Sequence, residues 1–162
     1  MNNKKPVFWH QGLFLQPQHL QLQDLHNDTK RSTIANVGLP YFWGVMKSEV
    51  SSGSLDVNLI EMSDGEFLFK DGAHVSLGEN ARLVPRAFDD SMVRVDKALN
   101  VYIGIKKLSA HEPNVTVLET ESDIKTVTTR FVTTTSWEEV RDIYGSAPDA
   151  QYRDLTFVVR LF

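Results

Sequence analysis

Trp9-His10-Gln11-Gly12-Leu13-Phe14-Leu15-Gln16-Pro17-Gln18-His19-Leu20-Gln21 is the stretch on which the reading of this 162-residue chain turns. It crowds aromatic and aliphatic side chains, a glycine and a proline into a chain start, a region that is usually frayed and polar unless something ties it down. A Trp, a Phe and Leu residues this early predict an N-terminus docked on its own domain or on a partner. Val7-Phe8-Trp9 is β-prone and Gly12 interrupts the run, so residues 6–15 are expected to be extended. Gln16 precedes a proline and is pushed out of the helical region. Pro17 suits a first helical turn, where its missing N–H costs nothing. The spacing predicts a helix over about residues 17–36, ended by Gly38 and Pro40.

That helix has a thin apolar face. Leu20, Leu22 and Leu25 are its large apolar residues before Ile34, and Gln, His, Asn, Asp, Lys, Arg, Ser and Thr fill the rest. So narrow a stripe suits a surface helix on a sheet, or a seam against a neighbour.

From Leu39 onward the signals are β. Strands are expected over residues 41–45 and 56–62, with a Ser/Gly loop at 51–54 between them. Val57, Leu59 and Ile60 are the inward candidates of the second. Asp64-Gly65 and Asp71-Gly72 lie between apolar runs and both read as hairpin turns. Further strands are expected over 82–86, 92–96, 99–106, 115–119, 125–134 and 155–162. Leu99, Val101, Ile103 and Ile105 alternate with Asn100, Tyr102, Gly104 and Lys106, which predicts one buried face. Ser136-Trp137-Glu138-Glu139 has capping-box spacing, so residues 137–144 are expected to be a short helix; alternatively the preceding strand ends there in a loop. One helix and eight to ten short strands make the fold class mainly β, a β-sandwich behind an extended segment and an α-helix. Residues 1–38 form the hook and helix and 39–162 the sandwich. The last strand runs to Phe162 without a polar tail, which suggests a domain cut from a longer protein.

Composition narrows function. At 41% hydrophobic and 23% charged the chain is an ordinary globular protein, and 17 basic against 21 acidic residues leave no basic footprint for nucleic acid. Without cysteine, disulfides, thiol catalysis and thiolate zinc sites are excluded. No apolar run reaches membrane-spanning length or resembles a signal peptide. His19 and His26 are seven apart, not the i, i+4 spacing of paired ligands, and His10, His74 and His111 lie in unrelated segments. Asp89-Asp90 and Glu138-Glu139 are sequence neighbours whose side chains point apart. No phosphate loop or nucleophile elbow is present, and the Asn114-Val-Thr116 sequon reads as accidental. Trp9, Trp43 and Trp137 could stack on sugar, although core packing is expected of at least two. No catalytic, metal or cofactor site emerges; this reads as a protein that binds.

The opening stretch resembles the N-terminal signature of the TssK family, also called ImpJ or VasE, in which W-x-E-G-M-x-L-x-P-Q-H-F-Q is typical. Here Gln11 replaces the acid, Leu13 the Met and Leu20 the Phe; losing the acid removes any ion pair made there. Pro40-Tyr41-Phe42-Trp43-Gly44 is similar to a second family segment, P-Y-x-W-G, and Asp71-Gly72 is a weaker third. The resemblance covers residues 7–45, and beyond them only the β character. It implies a type VI secretion baseplate subunit with a β-sandwich like the shoulder domain of phage receptor-binding proteins. It further implies a homotrimer docked on the wedge proteins TssF and TssG at the cytoplasmic face of the inner membrane. Contacts with TssL and TssM would fall to later domains absent here.

On this reading Trp9, Leu13, Phe14 and Leu15 pack at the domain's base. Pro17, Gln18, His19 and Gln21 set the helix entry at the partner-facing end, and Gly12 is counted with them among the partner-binding residues. Leu20, Leu22 and Leu25 line the seam between protomers, and no cofactor, nucleic acid or small-molecule substrate is involved. Three alternatives stand beside it: the stretch only closes the sandwich; the domain is a phage-tail-like receptor- or carbohydrate-binding module; or scattered carboxylates assemble an enzyme.

Overall fold

Helix α1, Pro17–Gly38, starts where the proline directs it. Gln16 before it is extended, with φ −127° and ψ 153°, and Pro17 occupies the first turn. At the other end the Leu39 N–H donates to Ala35 O at 2.9 Å, two residues beyond the expected stop. The side of α1 turned from solvent is largely polar: Thr29 is buried, and His19, Gln23, His26 and Ser32 are partly so. These groups are tolerated because they bond locally. Thr29 Oγ1 donates to Leu25 O and Thr33 Oγ1 to Thr29 O, both at 2.7 Å, while Asn36 Nδ2 donates to Ser32 O at 2.7 Å.

The computed structural model describes residues 4–93 and 97–162. It holds two compact units, the chain through Lys47 with Glu66–Val75, and Ser48–Gly65 with Ser76–Phe162. Strand β1, Gly44–Val50, begins later than expected and all seven of its residues are exposed. Tyr41, expected in this strand, instead sits in the turn after Pro40 with φ +62°. A single helical turn, α2 (Ser52–Leu55), replaces the expected Ser/Gly loop. Residues 56–58 are a turn closed by Asn58 at φ +57°, leaving Val57 exposed; strand is confined to β2, Leu59–Ile60, until Met62 opens the next strand, and Ile60 is buried as expected.

The two Asp-Gly signals divide. Asp64-Gly65 lies inside strand β3, Met62–Leu68, where Gly65 is buried and its carbonyl accepts from Leu77 N–H at 2.8 Å. The cross-strand partner takes the backbone groups that a turn would have used. Asp71-Gly72 is the turn. Gly72 adopts φ +86°, its N–H donates to Phe69 O at 2.9 Å, and Asp71 Oδ1 accepts from Ala73 N–H at 3.1 Å. Strand β4, His74–Ser76, completes a sheet of order β1-β3-β4, with Phe67 and Val75 buried. A Cβ on Gly72 would lie 3.5 Å from Ser32 Cβ, so this turn lies against α1.

In the second unit strands β5 (Ala81–Val84) and β6 (Arg86–Ala87) cover the expected 82–86 strand, and β6 pairs antiparallel with β2. Then come β7 (Ile103–Ile105), β8 (Val115–Leu118), β9 (Phe131–Thr134), β10 (Glu138–Val140), β11 (Ala150–Tyr152) and β12 (Thr156–Leu161). β12 is the centre. It runs parallel to β5, with Phe157 opposite Ala81 and Arg160 opposite Val84. Its other edge pairs antiparallel with β9 at Thr156–Phe157 and with β7 at Val159–Leu161, and β8 lies parallel to β9. Consecutive Val158 and Val159 are both buried, Val159 fully, which marks a strand covered on both faces. Val84, Leu118, Val127, Val132 and Val158 form the core cluster, with Ile124 packed on it.

Several expectations are corrected here. Leu99 and Val101 are exposed, because backbone pairing along this edge starts only at Tyr102, which exchanges hydrogen bonds with Phe162 at 2.9 and 2.8 Å. Residues Glu121–Thr126 form a 3-10 stretch, so the expected 125–134 strand begins at Phe131. The expected 137–144 helix is the hairpin β10–β11, since cross-strand pairing of Glu138 with Tyr152 displaces the local capping pattern. Of the expected 92–96 strand, Met92 closes a 3-10 turn and residues 94–96 lie outside the described ones. The fold class is the expected one, mainly β with open sheets and no barrel, in keeping with a sandwich behind an extended segment and helix.

Candidate partner-binding surface

The N-terminal hook is shaped by two short-range devices. The Leu13 N–H donates to His10 O at 3.2 Å across a turn in which Gly12 takes φ +83°, a left-handed conformation that favours glycine. His10 Nδ1 lies 3.0 Å from Gln11 O, and its ring is tilted against Phe8 with centroids 5.7 Å apart.

At the helix start the Gln16 N–H donates to His19 Nδ1 at 3.1 Å, and the His19 N–H donates to Gln16 O at 3.0 Å. His19 therefore caps a backbone donor ahead of the helix, with its own proton on Nε2. The Trp9 ring meets the same imidazole edge-on, centroids 6.5 Å apart at 67°. Trp9, Gly12, Pro17 and His19 together bend the hook back onto the first turn of α1.

The other hook residues are left outward. Phe8 and Phe14 are each 81% exposed and Leu15 is exposed, while Leu13, like Val7, is partly withdrawn from solvent. The expectation that Trp9, Leu13, Phe14 and Leu15 pack at the base of the domain is thus corrected for three of them: Phe14 and Leu15, after the turn at Gly12, are exposed, and Trp9, half exposed, meets His19 instead. Gln18 and Gln21 are exposed on the helix.

The leucine stripe is not one stripe. Leu20 and Leu22 are two positions apart, about 200° around a helix, and cannot share a face. Leu20 and Leu22 are exposed and Leu25 is partly buried. The tryptophans are corrected too. Trp9, Trp43 and Trp137 are each about half exposed, and the buried core is mostly Val, Leu and Ile, with Phe67 and Ala81, instead. Arg153 stacks on Trp137 with its guanidinium carbon 4.7 Å from the ring centroid.

The titratable residues do not converge. His74 pairs with Glu66 at 2.7 Å across the β3–β4 hairpin, Asn114 holds the Ser109 backbone at 2.7 and 2.8 Å, and Glu138 accepts from Tyr152. Among the described residues no three His, Asp or Glu side chains gather as a metal site, and no helix is long and apolar enough to cross a membrane. An open depression lined by Asp24, Asn27, Asp28, Lys30 and Arg31 is the outer surface of α1 itself.

What sequence reasoning missed is the hairpin β10–β11. It carries exposed Val140, Ile143, Tyr144 and Tyr152 beside Trp137. The turn-forming Gly145-Ser146-Ala147-Pro148 was the available signal, but Trp137, Val140 and Ile143 stand three apart as on a helix, and with the capping-box spacing they masked it.

Residues 19–162 match the family model described as bacterial type VI secretion, VC_A0110, EvfL, ImpJ, VasE. The match extends through the β region, well past residue 45, and takes in only the end of the hook. Among solved structures, a chain of the type VI secretion TssK–TssF–TssG baseplate subcomplex, determined by cryo-electron microscopy, is similar over all of this chain and 51% of its own length, with 19% identity and TM-score 0.77. A crystal structure of TssK is similar over 98% of this chain and 34% of its own, with 20% identity and TM-score 0.79. A chain of the baseplate complex from the type VI secretion system covers 98% and 48%, with 20% identity and TM-score 0.72. This chain thus spans a third to a half of those chains. Comparison with curated proteins gives no match.

Proposed function

Since the chain belongs to the bacterial type VI secretion family of EvfL, ImpJ and VasE, we propose that it is a non-catalytic adaptor domain of the secretion baseplate, and that its hook docks a trimeric subunit onto a TssF–TssG wedge. The observation that carries this reading is the hook itself. Phe8, Phe14 and Leu15 stand exposed on a turn and helix start that Gly12, Pro17 and His19 hold in shape. Large apolar side chains on a pre-shaped backbone are the material of interface anchors. Leu20, Leu22 and Leu25 offer α1 as a seam between protomers, Leu20 on one side and Leu22 with Leu25 on the other. The domain works at the cytoplasmic face of the inner membrane, and contacts with TssL and TssM belong to parts of the subunit outside this chain.

The test is copurification with a TssF–TssG pair. Leu15→Asp and Trp9→Ala should each weaken capture by a hot-spot-sized ~2 kcal/mol or more while circular dichroism stays unchanged. Intact capture with both variants folded would overturn the interface. For the trimer, light scattering should report a mass that falls on Leu25→Asp; a mass indifferent to substitutions at all three leucines removes the seam.

A further inference from the structure

Hairpin β10–β11 forms a two-stranded sheet whose strands pair with no other described strand, and every residue of both is exposed. A lone hairpin is marginal in water, yet the loop at its tip is ordered around one carboxylate. Asp142 Oδ1 accepts from Tyr144 N–H at 2.9 Å and Gly145 N–H at 3.1 Å, and Oδ2 accepts from Ala147 N–H at 3.3 Å. These donors, Tyr144 and Ala147 foremost, hold the carboxyl below its usual range. A Cβ at Gly145 would sit 2.8 Å from Asp142 Oδ2, so a larger residue there would have to push the carboxylate aside. The consequence is a fixed apolar knob: Ile143 is 79% and Tyr144 95% exposed.

The knob's surroundings are acidic. Residues 137–154 carry five carboxylates and two arginines, and one of the arginines, Arg153, lies over Trp137. We propose that this hairpin is a second docking element, which inserts Ile143 and Tyr144 into an apolar pocket with a basic rim on a protein partner. Ordering the loop before binding lowers the entropic cost of burying two large side chains, and the acidic surround complements Lys and Arg at the rim. The same charge opposes an anionic lipid surface and a like-charged hairpin on a second copy of the chain. None of the hook residues takes part in this contact.

Photocrosslinking tests it, with benzoylphenylalanine placed at position 144, or at exposed Tyr41 as control, in the full gene product in cells that assemble the secretion apparatus. The expected result is a protein product specific to position 144, whose crosslinked segment, read by mass spectrometry, is apolar with Lys or Arg flanks. Ile143→Ser and Glu139→Lys, both at exposed positions outside the core, should each cut its yield about fivefold. The proposal is overturned if position 144 gives only the products of position 41. It is also overturned if the product is a lipid, a second copy or an acidic segment, or if either substitution leaves the yield unchanged.

Discussion

His19→Ala removes two contacts at once: the acceptor for the Gln16 N–H at 3.1 Å and the edge against which Trp9 rests at 6.5 Å. A lost N-terminal cap costs about 1 kcal/mol, and an aromatic pair is worth about 0.5–1.5 kcal/mol beyond its area. Trp9 is half exposed and His19 partly so, so the low end applies and the sum is about 1.5 kcal/mol. Because the contacts tie down a chain end, the loss should appear as local opening rather than global unfolding. Amide exchange resolved by residue is the assay. Exchange at Gln16 and through the first turn of α1 should quicken about tenfold, while the buried amides of β12 stay protected. A double-mutant cycle isolates the ring pair: Trp9→Ala alone should cost less than His19→Ala, and the two should couple by about 0.5 kcal/mol or more. Additive effects, with Gln16 exchange unchanged in His19→Ala, would refute the reasoning and leave these residues as surface anchors only.

Three further outcomes follow from the geometry. Arg130 is 3% exposed, donates to Lys106 O at 2.9 Å and lies 5.5 and 5.3 Å from the Phe131 and Phe157 ring centroids; Arg130→Ala should cost about 3 kcal/mol in urea denaturation, and Arg130→Lys should recover less than half of it. Gly12→Ala should cost only the left-handed backbone term, about 1 kcal/mol, because its Cβ would meet nothing within 4 Å; a much larger loss by the same exchange assay would mean that the hook is packed. The Asp142 carboxyl is depressed by backbone donors, so its contribution to loop order is complete above the ordinary value of 3.8 and is lost as pH falls below it towards the depressed folded value. The Tyr144, Gly145 and Ala147 amide resonances should shift together in that window, and Asp142→Asn should abolish the shift.

The residues that sequence reasoning placed well are those whose conformation is decided by near neighbours. Pro17 and Gly38 bound the helix because a ring-locked φ and a missing Cβ act locally, and Asp71-Gly72 turns for the same reason. The hook's importance was legible, although its contacts were not: that Trp9 would meet His19 and leave Phe14 outward depends on the direction taken after Gly12.

Where backbone groups had to choose among distant partners, local signals failed. Asp64-Gly65 carries the same dipeptide as the true turn, yet Leu77 draws Gly65 into a ladder. The Ser136–Glu139 capping pattern loses to a pairing partner fourteen residues from Glu138.

By itself, then, the sequence determined the mainly β class, the helix and its ends, one turn, and the hook as the feature to explain, because these rest on stereochemistry within a few residues. Only the tertiary structure decided which strands pair, that Arg130 is buried over the Phe131 and Phe157 rings, and that Ile143 and Tyr144 stand out on a braced loop. Those outcomes depend on which remote groups compete for each hydrogen bond and each patch of buried surface, and β12, pairing with β5 from more than seventy residues away, is where that competition is settled.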